Sequence, residues 1–349
     1  MREMKKVQID LSMFVALMGT LTLAISSKLI FDNSISNSFA YLLEISSILI
    51  YTIYFFKFLI HVFNKSFVEA LKDPSKSSLY SSSAIAAALI SLALLQVGIP
   101  GSSAQIINSL SVSFWAISLF FSLFFVIVIP ISLKFRAKPE QVTGIWFLPS
   151  ASLFVLISAG SIIALKIPSL TNLIILLNSL VFGPAFVLYF LTLTLVYYRS
   201  KFYPINEKKI TPTFNIVLAP VAVSILAVIS MSKLFLKNDV FGFAELFVGI
   251  SKLYSIMMFG YGLWVLAGLI LLYLRILKEH KSIPFSQLWW AFVFPIGAFT
   301  LATVNLYHFI LSFVFIKYIY YTLYAILLLL WLQVFTKQIS LKIKKRENQ

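Results

Sequence analysis

Ten apolar stretches recur along the chain, near residues 9–29, 39–63, 79–97, 105–133, 144–165, 171–198, 212–232, 243–275, 285–306 and 309–335. Each reaches the roughly 20 residues that a helix needs to cross the hydrocarbon core of a bilayer. Repetition on that scale decides the class before any motif is read. Lipid offers backbone amides no partner, so an isolated spanning segment of this length must satisfy its own hydrogen bonds as a helix. Composition agrees, with 60% apolar and 11% charged residues, against about 45–50% apolar in soluble domains. The expected fold is an all-α polytopic membrane protein, a single domain over residues 1–349.

The formal net charge of +16 would suggest nucleic acid in a soluble protein. Here no soluble basic-aromatic stretch exists to support that partner, and nucleic-acid binding is not expected. The basic residues collect in alternate connections. Arg2, Lys5 and Lys6 precede the first span; Lys65, Lys72 and Lys76 follow the second; Lys134, Arg136 and Lys138 follow the fourth. Arg199, Lys201, Lys208 and Lys209 follow the sixth, Arg275, Lys278 and Lys281 the eighth, and Lys337, Lys342, Lys344, Lys345 and Arg346 the tenth. The intervening connections hold only Lys28, Lys166, Lys233 and Lys237. By the positive-inside rule both termini are expected in the cytoplasm, as an even number of spans requires. The apolar run after Met1–Lys6 resembles a signal peptide, but it is long enough to span and no A-x-A site follows, so it reads as the first transmembrane helix.

Catalytic vocabulary is thin. Cysteine is absent, which removes disulfides, thiolate metal sites and a Cys nucleophile. Twelve acidic residues and three histidines form no H-E-x-x-H, P-loop or G-x-S-x-G pattern. Neither an enzyme nor a metal or cofactor site is expected.

Three odd-numbered spans align on a proline. They read W-F-L-P-S-A-S-L, V-L-A-P-V-A-V-S and V-F-P-I-G-A-F, placing Pro149, Pro220 and Pro295 two residues before Ala151, Ala222 and Gly297. Proline inside a helix costs about 3 kcal/mol, so the recurrence predicts three pore-helix kinks at one depth. It also predicts five helical hairpins in a quasi-fivefold arrangement around a central pore. Spans three, five, seven and nine carry no charge between their ends and the first has only Asp10 at its cytoplasmic edge and Lys28 at its outer end, whereas Glu44, Lys57, Glu245, Lys252 and Lys317 all lie in even spans. Glu44, Lys252 and Lys317 sit at comparable depth. They are either functional or interhelical ion pairs and snorkelling lysines, and the lack of a row of titrating groups favours the second. The same lack favours passive conduction over proton coupling. Anions are the expected cargo, because the odd helices aim N-termini of about half a positive charge each at the cytoplasmic mouth.

W-W-A-F-V-F-P (289–295) closely resembles a stretch of the tellurite-resistance/dicarboxylate transporter family. That family includes the slow anion channels of plant guard cells, a bacterial tellurite-resistance homologue, fungal sulfite efflux pumps and a yeast malate permease. N-I-V-L-A-P-V-A (215–222), F-G-Y-G (259–262), W-F-L-P-S (146–150), Phe14 with Gly19, and Leu306-Tyr307-His308 are similar to the bacterial branch. The resemblance implies homotrimers in which each subunit has its own pore, lined by the five odd helices and occluded by a phenylalanine, here Phe294. Phe14, Gly19, Ala151 and Ala222 are the further candidates for pore lining. The chain departs from the family pattern at Leu17, where proline is usual, and in S-S-S-A-I-A-A-A (81–88), which has none. The implied function is an anion channel or channel-like exporter in a prokaryotic plasma membrane, moving small inorganic or organic anions. A proton-coupled carrier of C4-dicarboxylates and a sulfite or tellurite-related efflux protein are the alternatives.

Overall fold

A computed structural model describes residues 10–203, 212–280 and 285–347, and the regular structure among them is entirely helical. Eleven α-helices follow one another: α1 Ser12–Phe31, α2 Ser34–Val62, α3 Lys65–Leu71, α4 Ser81–Gln96, α5 Ala104–Leu133, α6 Leu148–Lys166, α7 Thr171–Phe202, α8 Leu218–Lys237, α9 Ala244–His280, α10 Trp290–Phe309 and α11 Val314–Glu347. All but the short α3 are long and apolar enough to cross a membrane. The chain is a multi-pass membrane protein, as its hydropathy requires. Helices α9 and α11 outrun the expected ends at 275 and 335. No glycine or proline follows either apolar run closely enough to stop the helix as it leaves the hydrocarbon.

The ten spans divide into two layers. In the odd-numbered spans 72% to 100% of the apolar window is buried, against 22% to 33% in the even-numbered ones. The chemistry explains the split. Helix α4 reads S-S-S-A-I-A-A-A-L-I-S-L-A-L-L-Q, small or apolar on every face and therefore suited to being surrounded by other helices. Two of its serines bond back to the chain: Ser82 and Ser83 donate to the Leu79 and Tyr80 carbonyls at 2.5 and 2.8 Å. Around the inner layer α1 touches α4, α4 touches α6, α6 touches α8, α8 touches α10, and α10 touches α1 again. Each outer helix covers the seam between its hairpin partner and the next inner helix. Thus α2 lies on α1 and α4, α5 on α4 and α6, α7 on α6 and α8, α9 on α8 and α10, and α11 on α10 and α1.

The prolines do different work from the three interior kinks expected. Pro149 is the second residue of α6 and Pro220 the third of α8, first-turn positions whose missing N–H has no intrahelical acceptor to lose. Of the three, only Pro295 stands inside an established helix. Interior prolines occur instead at Pro130 in α5 and Pro184 in α7. What recurs at four of the five inner helices is a 3-10 turn leading into the helix: Ser77–Tyr80 before α4, Gly144–Phe147 before α6, Pro212–Val217 before α8 and Gln287–Trp289 before α10.

The seam that closes the ring, α1 against α10, is built on two glycines. A Cβ on Gly19 would sit 2.9 Å from Val293 Cγ1, and one on Gly297 would overlap the side chain of Thr22. Each helix therefore offers a bare backbone where the other offers a side chain, which lets the axes approach. Trp331 of α11 covers the same seam, its Nε1 donating to Thr20 Oγ1 at 3.0 Å. Gly297→Ala is expected to cost about 1–3 kcal/mol by overpacking, read as a lower melting temperature in detergent. Adding Thr22→Gly should recover most of it.

Candidate transport pathway

Where the five inner helices converge, they enclose a cavity of about 20 Å³. Each helix supplies a wall: Thr22 from α1, Leu89 and Leu92 from α4, Val155 and Ser158 from α6, Val223 and Leu226 from α8, and Phe294, Ala298 and Leu301 from α10. A water needs roughly 10–15 Å³, so there is room for about one water and none for a hydrated ion. Phe294 is 1% exposed, its ring held in this wall. The two hydroxyls present are spent on their own helices. Thr22 Oγ1 donates to the Gly19 carbonyl at 2.9 Å and Ser158 Oγ to the Phe154 carbonyl at 3.0 Å. The wall is thus uncharged and apolar.

Larger cavities lie elsewhere. One of about 690 Å³ is an open cleft between the start of α5 and the α6–α7 turn, lined by Gln105, Asn108 and Ser169 among others. Another of about 370 Å³ lies between α1, α2, α10 and α11 behind Trp290 and Trp331. Neither touches all five inner helices. Of these three, the small one occupies the position that the inner ring creates.

The structure separates the residues singled out from sequence. Phe294 belongs to the cavity wall and Pro295 follows it within α10. Gly297 and Gly19 pack the α1–α10 seam, with Gly297 against Thr22, itself a wall residue. Ala151 and Ala222 are buried in α6 and α8 but are absent from the wall. Phe14 turns away from the cavity: its ring meets Tyr51 and Phe58 of α2 edge-on, with centroids 5.7 and 5.9 Å apart. Leu89, Val155, Val223 and Leu226 had no signal of their own, being ordinary aliphatic residues in uniformly apolar helices.

Of the alternatives for Glu44, Lys252 and Lys317, no ion pair among the three forms in the described residues. Glu44 is fully buried on α2, and neither carboxyl oxygen has a hydrogen-bond partner. Lys252 Nζ lies over the Phe309 ring at 5.9 Å and Lys317 Nζ over Tyr321 at 6.0 Å. Helices α9 and α11 cover different seams from α2, which keeps the three groups apart. Trp290, one turn before Phe294, is held from behind, its Nε1 donating to Gln338 Oε1 of α11 at 2.8 Å. Trp289 carries the Lys337 ammonium over its ring at 4.6 Å.

A family model described as the voltage-dependent anion channel SLAC1 matches residues 8–339. An uncharacterized transporter of Methanocaldococcus jannaschii is 28% identical over 342 residues, covering 94% of this chain and 93% of its own. A second uncharacterized transporter of the same organism is 29% identical over 336 residues, covering 92% and 89%. Ten spans in two layers, a charge-free convergence of the inner five and a match over nearly the whole length lead to one conclusion: this chain belongs to the SLAC1 family of voltage-dependent anion channels.

Proposed function

We propose that the protein is a passive anion channel whose route runs along the inner ring and is closed at Phe294. The observation that carries this reading is the small apolar cavity with a wall from every inner helix and the Phe294 ring in it. Such a constriction gates by excluding water, and its selectivity follows size and dehydration cost in place of fixed charge. No residue of this wall titrates, so the constriction itself offers a proton relay no member. We further assign the inner-helix N-termini to the cytoplasmic face, on the charge bias of the connections, with homotrimers of one pore per subunit in a prokaryotic plasma membrane. We extend the substrate class to organic acids and oxyanions, on the resemblance of W-W-A-F-V-F-P to dicarboxylate carriers and sulfite or tellurite-related exporters.

A second reading, proton-coupled transport, is favoured by one observation: the buried and unpartnered carboxyl of Glu44. Proteoliposome flux of chloride and nitrate, with and without an imposed pH gradient, separates the two. The channel reading expects flux driven by the anion gradient alone. Flux that vanishes without the proton gradient would replace it by the carrier reading.

Phe294→Ala should raise anion flux on the order of tenfold, equivalent to about 1.4 kcal/mol off the barrier. Unchanged or lower flux in a well-folded protein would remove Phe294 from the gate. Ser158→Ala should leave flux nearly unaltered and stability within about 0.5 kcal/mol, because its hydroxyl already serves the Phe154 carbonyl. A large loss of flux would show that this hydroxyl turns to the ion during passage.

A further inference from the structure

Parallel inner helices solve an electrostatic problem at one mouth and create one at the other. Their N-termini favour anions at the entrance they share. Their C-termini gather at the opposite face, where five ends present together about two and a half negative charges. An anion leaving or entering there meets repulsion unless the protein supplies compensation.

Side chains on one helical face recur every three or four residues. Continuing the cavity-lining face of α6 from Val155 and Ser158 toward the C-terminus reaches Lys166, and that of α8 from Val223 and Leu226 reaches Lys233 and Lys237. The corresponding face of α10, from Ala298 and Leu301, reaches Asn305. Lys166 and Lys237 are exposed and Lys233 is half-buried, in helices otherwise enclosed by protein.

The three lysines tie neighbouring inner helices together at their C-terminal ends. Lys166 Nζ donates to the Leu95 carbonyl in the last turn of α4. Lys237 Nζ donates to the Leu165 carbonyl of α6 at 3.5 Å, and Lys233 Nζ to Asn305 Oδ1 of α10 at 3.2 Å. Among the described residues none of the three pairs with a carboxylate. The acids near this face are otherwise engaged or outside the inner ring. Asp32 pairs with Lys28 at 2.5 Å, Asp239 Oδ1 accepts the Phe243 and Ala244 amides, and Glu245 opens α9 in the outer layer.

From this arrangement we propose that Lys166, Lys233 and Lys237 form an anion-collecting vestibule at the C-terminal mouth of the inner ring. Its ligands are small inorganic anions and carboxylates. Three ammonium groups more than offset the helix ends they approach, so the mouth changes from repelling anions to concentrating them. The inference rests on the channel reading for its purpose, but anion occupancy of the vestibule can be read without transport.

The cysteine-free chain permits a direct test. In Lys233→Cys, anion flux at low ionic strength should fall about threefold to tenfold. A membrane-impermeant thiol reagent carrying a positive charge should restore it, and a negatively charged one should lower it further. Both effects should shrink near 1 M salt, where charges are screened within about 3 Å. Equal effects of the two reagents would reduce Lys233 to a helix cap and overturn the vestibule. Wild-type protein that moves no anion would overturn the channel reading instead. In that case the melting temperature in graded sodium nitrate decides the vestibule. A nitrate-dependent rise that survives Lys→Arg at all three positions and is lost in the Lys166→Gln, Lys233→Gln, Lys237→Gln variant supports it. The same rise in both variants overturns it.

Discussion

Hydrocarbon accepts no unpaired backbone group, and the rest of this structure follows from that constraint. Once each span closes its own hydrogen bonds, the hydrophobic effect no longer distinguishes one helix face from another, because lipid tails are as apolar as leucine. Association then depends on close packing and on hydroxyls that bond back to the helix. The inner helices meet both needs. Serine and threonine hydroxyls serve carbonyls three or four residues earlier, as Ser150, Ser152, Ser161 and Thr303 do. Glycine or alanine faces a neighbour's side chain where two helices must approach. The α1–α10 seam, with Gly19 and Gly297 reciprocally placed, joins the last inner helix to the first.

The same economy shapes the convergence of the inner helices. Polar groups that serve their own backbone are withdrawn from the cavity, leaving Phe294 among aliphatic neighbours. Charges are confined to helix ends and to the outer layer. Within the outer layer Glu44 stands out as a fully buried acid without a hydrogen-bond partner, one layer away from the cavity. The Phe14–Tyr51 contact fixes the register of the α1–α2 hairpin, and at 1.5 Å per residue it puts Glu44 level with Leu21 and Thr22. A polar group unsatisfied at that depth is costly, which sets it apart from the ordinary packing around it.

Several features were legible in the residues alone. Ten spans, their pairing as hairpins and the absence of charge from the odd helices all follow from hydropathy and charge position. Phe294 was legible because a motif resemblance pointed to it, and the structure seats it in the cavity wall. Phe14, expected as possible lining, is absent from the small cavity and packs on α2: a phenylalanine in an all-apolar helix carries no mark of the face it occupies, and α2 supplied Tyr51 and Phe58 to receive it. The proline repeat was real in sequence but was read too strongly. Proline alone does not say whether it opens a helix or interrupts one, and the 3-10 turns before α6 and α8 put Pro149 and Pro220 in the first turn. Matching depth did not decide between function, ion pairs and snorkelling for Glu44, Lys252 and Lys317, because depth fixes only one of the coordinates that a contact requires.

Local physical chemistry therefore determined what this chain must do with lipid. Each apolar run crosses as a helix, the basic connections set the expected orientation, and helices small or apolar on every face require enclosure by others. Tertiary structure alone decided which faces of those helices meet. Thr22, Leu89, Val155 and Val223 come from four segments scattered along the chain, and nothing in the apolar pattern of any one segment distinguishes its cavity-facing residue from its neighbours. Periodicity names a face only when the two sides of a helix differ in polarity. Where every side is apolar, the face is chosen by the close approach of other helices, and that is a property of the assembled ring.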